Sequence, residues 1–280
     1  MKFSLIMATY GRKEEIETFL NSIEQQKYDT SKVEIIIVDQ NDKIVLDDIC
    51  AKYIEKLNIK HIKSEVKGLS FNRNIGLKSA IGDIVAFPDD DCTYYSETLV
   101  EIDNYFREHD DVDVVLGKIY DREIKKNIIR NWKNYGYKIN SNNFFLSFSS
   151  ITIFSRRNDI LFDNDLGVGT FFGSNEDGDY ILQHLRENKI IYYSPSIEVW
   201  HPDFSSVVMS DKKVYSYGLG FGALVRKHLS LPIIFLFFLT IGFHLLILVF
   251  AFLSMNKYEI NKRYLSIISR MKGFYLYATK

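Results

Sequence analysis

Residues 33–39 read Val-Glu-Ile-Ile-Ile-Val-Asp, a near-continuous aliphatic run closed by an acid. A strand with one wet face alternates polar and apolar side chains. This one does not, so it is read as a strand covered on both faces, as parallel strands between helical layers are. On its N-terminal side, residues 2–9 (KFSLIMAT) form a second apolar run. Between the two runs Ile16, Phe19, Leu20 and Ile23 stand at i, i+3, i+4 and i+7, one face of a helix over 13–26. On its C-terminal side the pattern predicts a helix over 44–57, a strand over 59–63, and a helix over 70–80 capped by Ser70 and stopped by Gly82. A strand over 83–87 ends at Pro88, a helix over 96–107 turns Leu99, Ile102 and Phe106 inward, and a strand covers 113–120. This alternation predicts an α/β fold with a doubly wound, mostly parallel sheet. Ligands of such sheets bind beyond the carboxyl ends of the strands, where Thr9, Asp39 and Asp89 fall.

The second half reads differently. Residues 121–146 are polar and Asn-rich, a loop by composition. A strand is expected over 147–156, a helix over 177–187 closed by Asn188, and two short strands, IIYYSP and IEVWHP, over 190–195 and 197–202.

The chain has 280 residues, 46% of them hydrophobic and 25% charged, which excludes wholesale disorder. A net charge of −1 gives no overall attraction to nucleic acid. Two cysteines, Cys50 and Cys92, build no disulfide framework and no zinc motif, and a reducing compartment is the simplest reading. The apolar start of MKFSLIMATYGR is too short for a signal peptide. The charge is unevenly spread: residues 211–280 hold ten cations and two acids, +8, against −9 for residues 1–210. Inside the basic tail, residues 231–254 carry no formal charge over 24 residues, long enough to cross a bilayer core. A buried core helix is the soluble alternative. Four cations precede the run and six follow it, which pulls both ends to one side of a membrane. A re-entrant or interfacial segment, with 257–280 on the same face, satisfies that pattern.

Pro88-Asp89-Asp90-Asp91-Cys92 is the sharpest local feature. Three successive carboxylates repel one another unless a hard cation neutralises them, and oxygen ligands suit Mg²⁺ or Mn²⁺. A solvated turn is the plainer alternative. Glu176, Asp177 and Asp179 open a helix, where the dipole alone favours acids; a carboxylate among carboxylates also suits general-base work. His201, an isolated histidine, gains interest only if the fold brings it to the acidic cluster. Residues 218–223 (GLGFGA) match a dinucleotide fingerprint in letters but follow no convincing strand. The sequence has no P-loop and no nucleophile elbow.

Taken in order, ATYGR (8–12), VDQND (38–42), SFNRNIGLKSAIGD (70–83), FPDDDC (87–92) and the block over 161–203 resemble the family 2 glycosyltransferases of the GT-A fold. The likeness covers residues 1–203 and is nearest to bacterial enzymes building surface polysaccharide or lipid-linked glycans. It implies an inverting, metal-dependent transfer from a nucleoside-diphosphate sugar, UDP-linked first of all, to a glycan or lipid-linked acceptor. Thr9, Tyr10, Asp39, Arg73, Asp89 and Asp90 would hold the donor. Asp91 and His201 would hold Mn²⁺ or Mg²⁺. Asp177 would be the base, with Glu176 beside it. Asn175 departs from the pattern, since relatives often carry Gly there. Residues 1–210 would form the catalytic domain, with a nucleotide-binding half (1–120) and an acceptor half (121–210). Residues 211–280 would form a tail on the cytoplasmic face of the plasma membrane.

Two other readings compete. A sugar-nucleotide pyrophosphorylase would carry a Gly-rich basic loop after the first strand, and TYGRKEE has one Gly. A non-catalytic membrane-associated nucleotide binder on the same fold would bind without turnover.

Overall fold

The structure, a computed structural model, describes residues 1–204 and 207–278. Lys280, counted in the basic tail, lies outside the described residues. The chain divides into two compact units, one of Met1–Leu161 with Gln183–Ser206 and one of Phe162–Leu182 with Val207–Lys280. The second unit therefore joins the tail to a segment that the sequence placed with residues 121–210.

The first unit holds the sheet. Its elements run β1 (Phe3–Thr9), α1 (Glu14–Glu24), β2 (Val33–Asp39), α2 (Asp47–Tyr53), β3 (Asn58–Lys63), α3 (Leu69–Ser79), β4 (Ile84–Ala86), β5 (Thr93–Tyr94), α4 (Thr98–Glu108) and β6 (Val114–Asp121). There follow β7 (Lys126–Asn127), β8 (Tyr137–Lys138), β9 (Ile153–Arg156), α5 (Glu176–Arg186), whose first turns belong to the second unit, and β10 (Ile191–Trp200). The strand order is β3-β2-β1-β4-β9-β6-β10-β5, with β7 beside β6 and β8 beside β10. The sheet is mixed and mostly parallel: β1 to β4 run together, β10 runs with β6, and β9 lies antiparallel between β4 and β6. Every residue of β2 is buried, as its unbroken aliphatic run requires. Ile16, Phe19, Leu20 and Ile23 of α1 and Leu99, Ile102 and Phe106 of α4 close the core.

Several expectations need correction. The helix over 70–80 is capped by Gly68, not Ser70; Gly68 sits at φ +131°, in the region that favours glycine, and Ser70 is the buried second residue of α3. The helix over 44–57 is trimmed to α2, and the strand over 147–156 to β9, with a 3₁₀ turn at Ser150–Thr152 ahead of it. The loop over 121–146 contains β7 and β8. The two strands over 190–202 are one strand, β10, whose pairing to β6 shifts register between Tyr193 and Glu198. Pro195 falls in that irregular stretch, so its missing N–H costs no ladder bond.

The second unit carries the loop from Phe162, the start of α5, and three long helices, α6 (Asp211–Lys227), α7 (Leu231–Leu253) and α8 (Lys257–Ala278). The GLGFGA stretch is a helix-packing surface. A Cβ on Gly222 would stand 2.0 Å from the Arg270 carbonyl oxygen, and one on Gly273 would stand 2.1 Å from that of Leu219. Glycine on both helices lets α6 and α8 touch backbone to backbone.

Candidate active site

Register alone assembles the carboxyl edge of the first unit. Thr9 pairs with Asp39 and Asp39 with Lys63, so the ends of β1, β2 and β3 are level. Leu5 pairs with Ala86, and four residues further along each chain Thr9 Oγ1 donates to Asp90 Oδ2 at 2.7 Å. At the other end of the sheet Val199 pairs with Tyr94 and Trp200 with Thr93. One step beyond that two-rung ladder, His201 Nε2 comes within 3.4 Å of Asp91 Oδ1. The late histidine and the acidic run, distant in sequence, meet because β5 and β10 are antiparallel.

Arg12 lies across the acidic run. Its Nε is 3.1 Å from Asp90 Oδ1 and its Nη2 is 2.9 Å from Asp91 Oδ2. Arg73, 1% exposed on α3, donates from Nη2 to Asp89 Oδ1 at 2.7 Å, and Ser150 approaches the other oxygen of Asp89 at 3.4 Å. The three acids are thus not equivalent. Burial pushes Asp90 up to about 6, against the pull of Thr9 and Arg12, with Asp89 and Asp91 pushing the same way. Burial also opposes the charged form of Asp91, but His201 and Arg12 outweigh it and hold that carboxyl below its ordinary value. Burial disfavours the His201 cation, yet Asp91 outweighs it and the imidazole sits above its ordinary value.

The donor set fits a hard divalent cation. The His201 Nδ1–H bonds the Pro202 carbonyl oxygen at 2.8 Å, which leaves Nε2 facing Asp91. The Asp91 carboxylate suits Mn²⁺ or Mg²⁺, and an imidazole nitrogen beside it favours the transition metal, Mn²⁺, over Mg²⁺. Among the described residues no group of three or more His, Cys, Asp or Glu side chains that could hold a metal ion gathers there.

Asp39 is held on both oxygens. Oδ1 accepts from the backbone and side-chain nitrogens of Asn41, each at 2.8 Å, and Oδ2 lies 3.0 Å from His61 Nε2. Tyr10 is 60% exposed, and the Lys67 ammonium stands 5.0 Å from its ring centre. Sequence reading missed three residues of this group. Arg12 figures only within ATYGR, His61 only within the strand over 59–63, and Lys67 in no motif at all. The level ends of β1, β2 and β3 were the signal for His61.

Glu176 and Asp177 belong to the second unit. Glu176 is buried, Asp177 is half-buried, and Asp177 Oδ1 accepts from the Gly178 backbone at 2.9 Å. Asn175 just before them has φ +65°, the left-handed region in which Gly and Asn are the tolerated residues. One turn on, Asp179 is fully buried between Lys227 Nζ at 2.8 Å and His228 Nε2 at 2.6 Å. Lys227 also reaches Asp163 at 2.7 Å, and Tyr277 donates to the same Asp163 oxygen at 2.7 Å.

The sequence profile of "Glycosyl transferase family 2" matches residues 4–175 of this chain. The poly(ribitol-phosphate) beta-N-acetylglucosaminyltransferase TarS of Staphylococcus aureus (strain MW2) is 29% identical over 228 residues, covering 77% of this chain and 39% of its own length. The related enzyme TarP of S. aureus (strain N315) is 26% identical over 194 residues, covering 67% of this chain and 58% of its own. The chain thus spans well under two thirds of these relatives. The crystal structure of S. aureus TarS 1-349 in complex with UDP-GlcNAc superposes with a TM-score of 0.60 at 25% identity, covering 83% of this chain and 68% of that one.

Proposed function

The chain belongs to glycosyl transferase family 2, and on that premise we propose that it moves a sugar, with inversion, from a UDP-linked donor to a glycan or lipid-linked acceptor at a membrane surface. The observation that carries this reading is the assembly of Thr9, Arg12, Asp90, Asp91 and His201 at one carboxyl edge, with Tyr10 and Asp39 beside it. The solved relative bound to UDP-GlcNAc supports the choice of donor nucleotide.

Each residue then has a task. The exposed Tyr10 ring offers a stacking face to the base, and Asp39, fixed by Asn41 and His61, offers a carboxylate oxygen to its N–H edge. Arg73 orients Asp89 toward the ribose side. Arg12 brings a second positive charge to the edge where the diphosphate charge grows. Asp91 and His201 would hold the divalent cation, which when bound supplies charge neutralisation for the leaving diphosphate. Asp177 accepts the acceptor hydroxyl proton as the hydroxyl attacks the anomeric carbon, and Glu176 lies beside it. Attack opposite the departing diphosphate inverts that carbon.

Residues 231–254 supply the membrane contact, on the cytoplasmic face of the plasma membrane. The test is release of UDP from UDP-GlcNAc by the full chain with a poly(ribitol-phosphate) or lipid-linked acceptor. Asp177→Asn should lower kcat by about 10²–10⁴-fold while leaving donor binding in place. Unchanged turnover would remove Asp177 from the reaction. Release of pyrophosphate in place of UDP would favour a pyrophosphorylase.

A further inference from the structure

Resting on the reading of residues 231–254 as a membrane segment, we infer that α7 lies in the plane of one leaflet, with α8 at the level of anionic headgroups, and does not cross the bilayer.

The argument starts from what α7 leaves uncovered. Of its 23 residues only Ile233, His244 and Ala251 are buried. At 100° per residue these three share one stripe. That stripe faces α8: the His244 ring nitrogen lies 3.4 Å from Arg263, and the rings of Phe237 and Phe274 lie 5.4 Å apart. Outside the stripe no residue is buried and all but Thr240 are apolar, with Leu231 85%, Phe235 69%, Phe250 62% and Leu253 77% exposed. Such a surface on a folded chain needs a covering.

The position of α8 decides between spanning and lying flat. The two helices form an antiparallel hairpin, since α7 residues 237 and 244 meet α8 residues 274 and 263. Arg263 therefore stands beside the middle of α7, about 20 Å from its start in a helix of about 34 Å. Were α7 to cross the bilayer, Arg263 would sit near the hydrocarbon centre. Glu259, Lys262 and Arg270 would be drawn in with it. Each charge there costs at least about 2.5–3.5 kcal/mol. Glu259 does pair with Arg263 at 2.7 Å, yet Lys262 and Arg270 remain as net positive charge in hydrocarbon. Lying flat avoids that cost. The open face of α7 enters the acyl boundary by about 5–10 Å, as interfacial helices do, and the exposed cations of α8, Lys257 and Lys272, with the half-buried Lys262, meet the headgroups. The charge matches the partner: Glu259, the one acid of α8, is taken up by Arg263, and Arg270 lies against Phe221 of α6, which leaves Lys257, Lys262 and Lys272 for anionic lipid.

The same body carries the proposed base. His228, three residues before α7, is bonded to Asp179, two residues after Asp177. A leaflet-seated α7 thus keeps Asp177 on a membrane-bound body, which suits an acceptor presented at that surface.

The experiment is depth-dependent quenching on the full chain. Single variants Phe235→Cys, Phe243→Cys and Phe252→Cys, all at exposed positions, are labelled with a fluorophore; Cys50 and Cys92 are buried. The protein is added to phosphatidylcholine–phosphatidylglycerol vesicles carrying nitroxides at shallow or deep acyl positions. The expected result is preferentially shallow quenching at all three sites, alike at 243 and 252 on the two flanks of the stripe and somewhat deeper at 235 opposite it, with binding falling several-fold without phosphatidylglycerol. Deep quenching at position 243 with shallow quenching at 235 and 252 would overturn the in-plane inference and leave the membrane reading intact. No quenching by either lipid would overturn both, and labels shielded from aqueous iodide in that case would put a protein on α7 instead.

Discussion

Asp179 Oδ1 lies 2.6 Å from His228 Nε2, and neither side chain reaches solvent to more than 3%. With Lys227 at 2.8 Å, the carboxylate has two nitrogen partners inside the second unit. A buried carboxylate stripped of its partners is costly, by about 3–5 kcal/mol for a broken buried pair. Lys227→Met is therefore expected to lower stability by that order, and Asp179→Asn, which keeps hydrogen-bonding capacity, by less. Urea titration of the full chain in detergent checks both. A chain ending near residue 210 loses both partners and should lose Asp177 function with them.

Asp163 sets an acid limit on the same unit. Burial works against its charge, but Lys227, the Asp165 backbone N–H and Tyr277 outweigh it and hold its pKa below the ordinary carboxylate value. A depressed folded-state pKa contributes stability above the unfolded-state pKa of about 3.9, and that stability is lost as pH falls through the folded value. The expected outcome is a melting temperature that falls below about pH 4, with part of that slope gone in Asp163→Asn. An unchanged slope in the variant would show that this carboxyl does not set the limit.

Asn175 holds a left-handed backbone immediately before Glu176 and Asp177. Asn175→Gly should keep stability within a few tenths of a kcal/mol, since Gly enters that region freely. Asn175→Ala should cost about 1–2 kcal/mol, and kcat should fall more than donor KM rises if the displaced Glu176 and Asp177 serve the acceptor as proposed. Thermal melts and steady-state kinetics on both variants separate the effects.

Much of the fold was written in hydrophobic runs. The aliphatic β2 and the i, i+3, i+4, i+7 face of α1 were legible because burial on both faces, or on one helical face, leaves a pattern that few other structures share. Direction was not legible for β9: Ile153–Arg156 reads the same whether it runs with its neighbours or against them. The irregular stretch of β10 looked like a break because Pro195 stands in it; the ladder to β6 is interrupted between Tyr193 and Glu198, while the strand itself runs on.

In the site, the acidic run announced itself, while the meeting of Asp91 and His201 depended on a two-rung ladder that no local pattern encodes. The resemblance to a family, not the spacing, named that pair. His61 was silent because one histidine in a short strand carries no chemistry until register places it beside Asp39. Asp179 read as an acid favoured by a helix dipole and Lys227 as a cation before an apolar run. Their pairing is tertiary, and it ties residues 162–182 to the tail.

The central claim is a nucleoside-diphosphate site completed by a cation at Asp91 and His201. Calorimetric titration of UDP into the full chain in detergent, with and without Mn²⁺ and beside Asp91→Asn, tests it most directly. The account predicts UDP binding with Mn²⁺, weakened at least about tenfold without the metal or in the variant. Binding that is absent, or equally tight without Mn²⁺ and in Asp91→Asn, would contradict it.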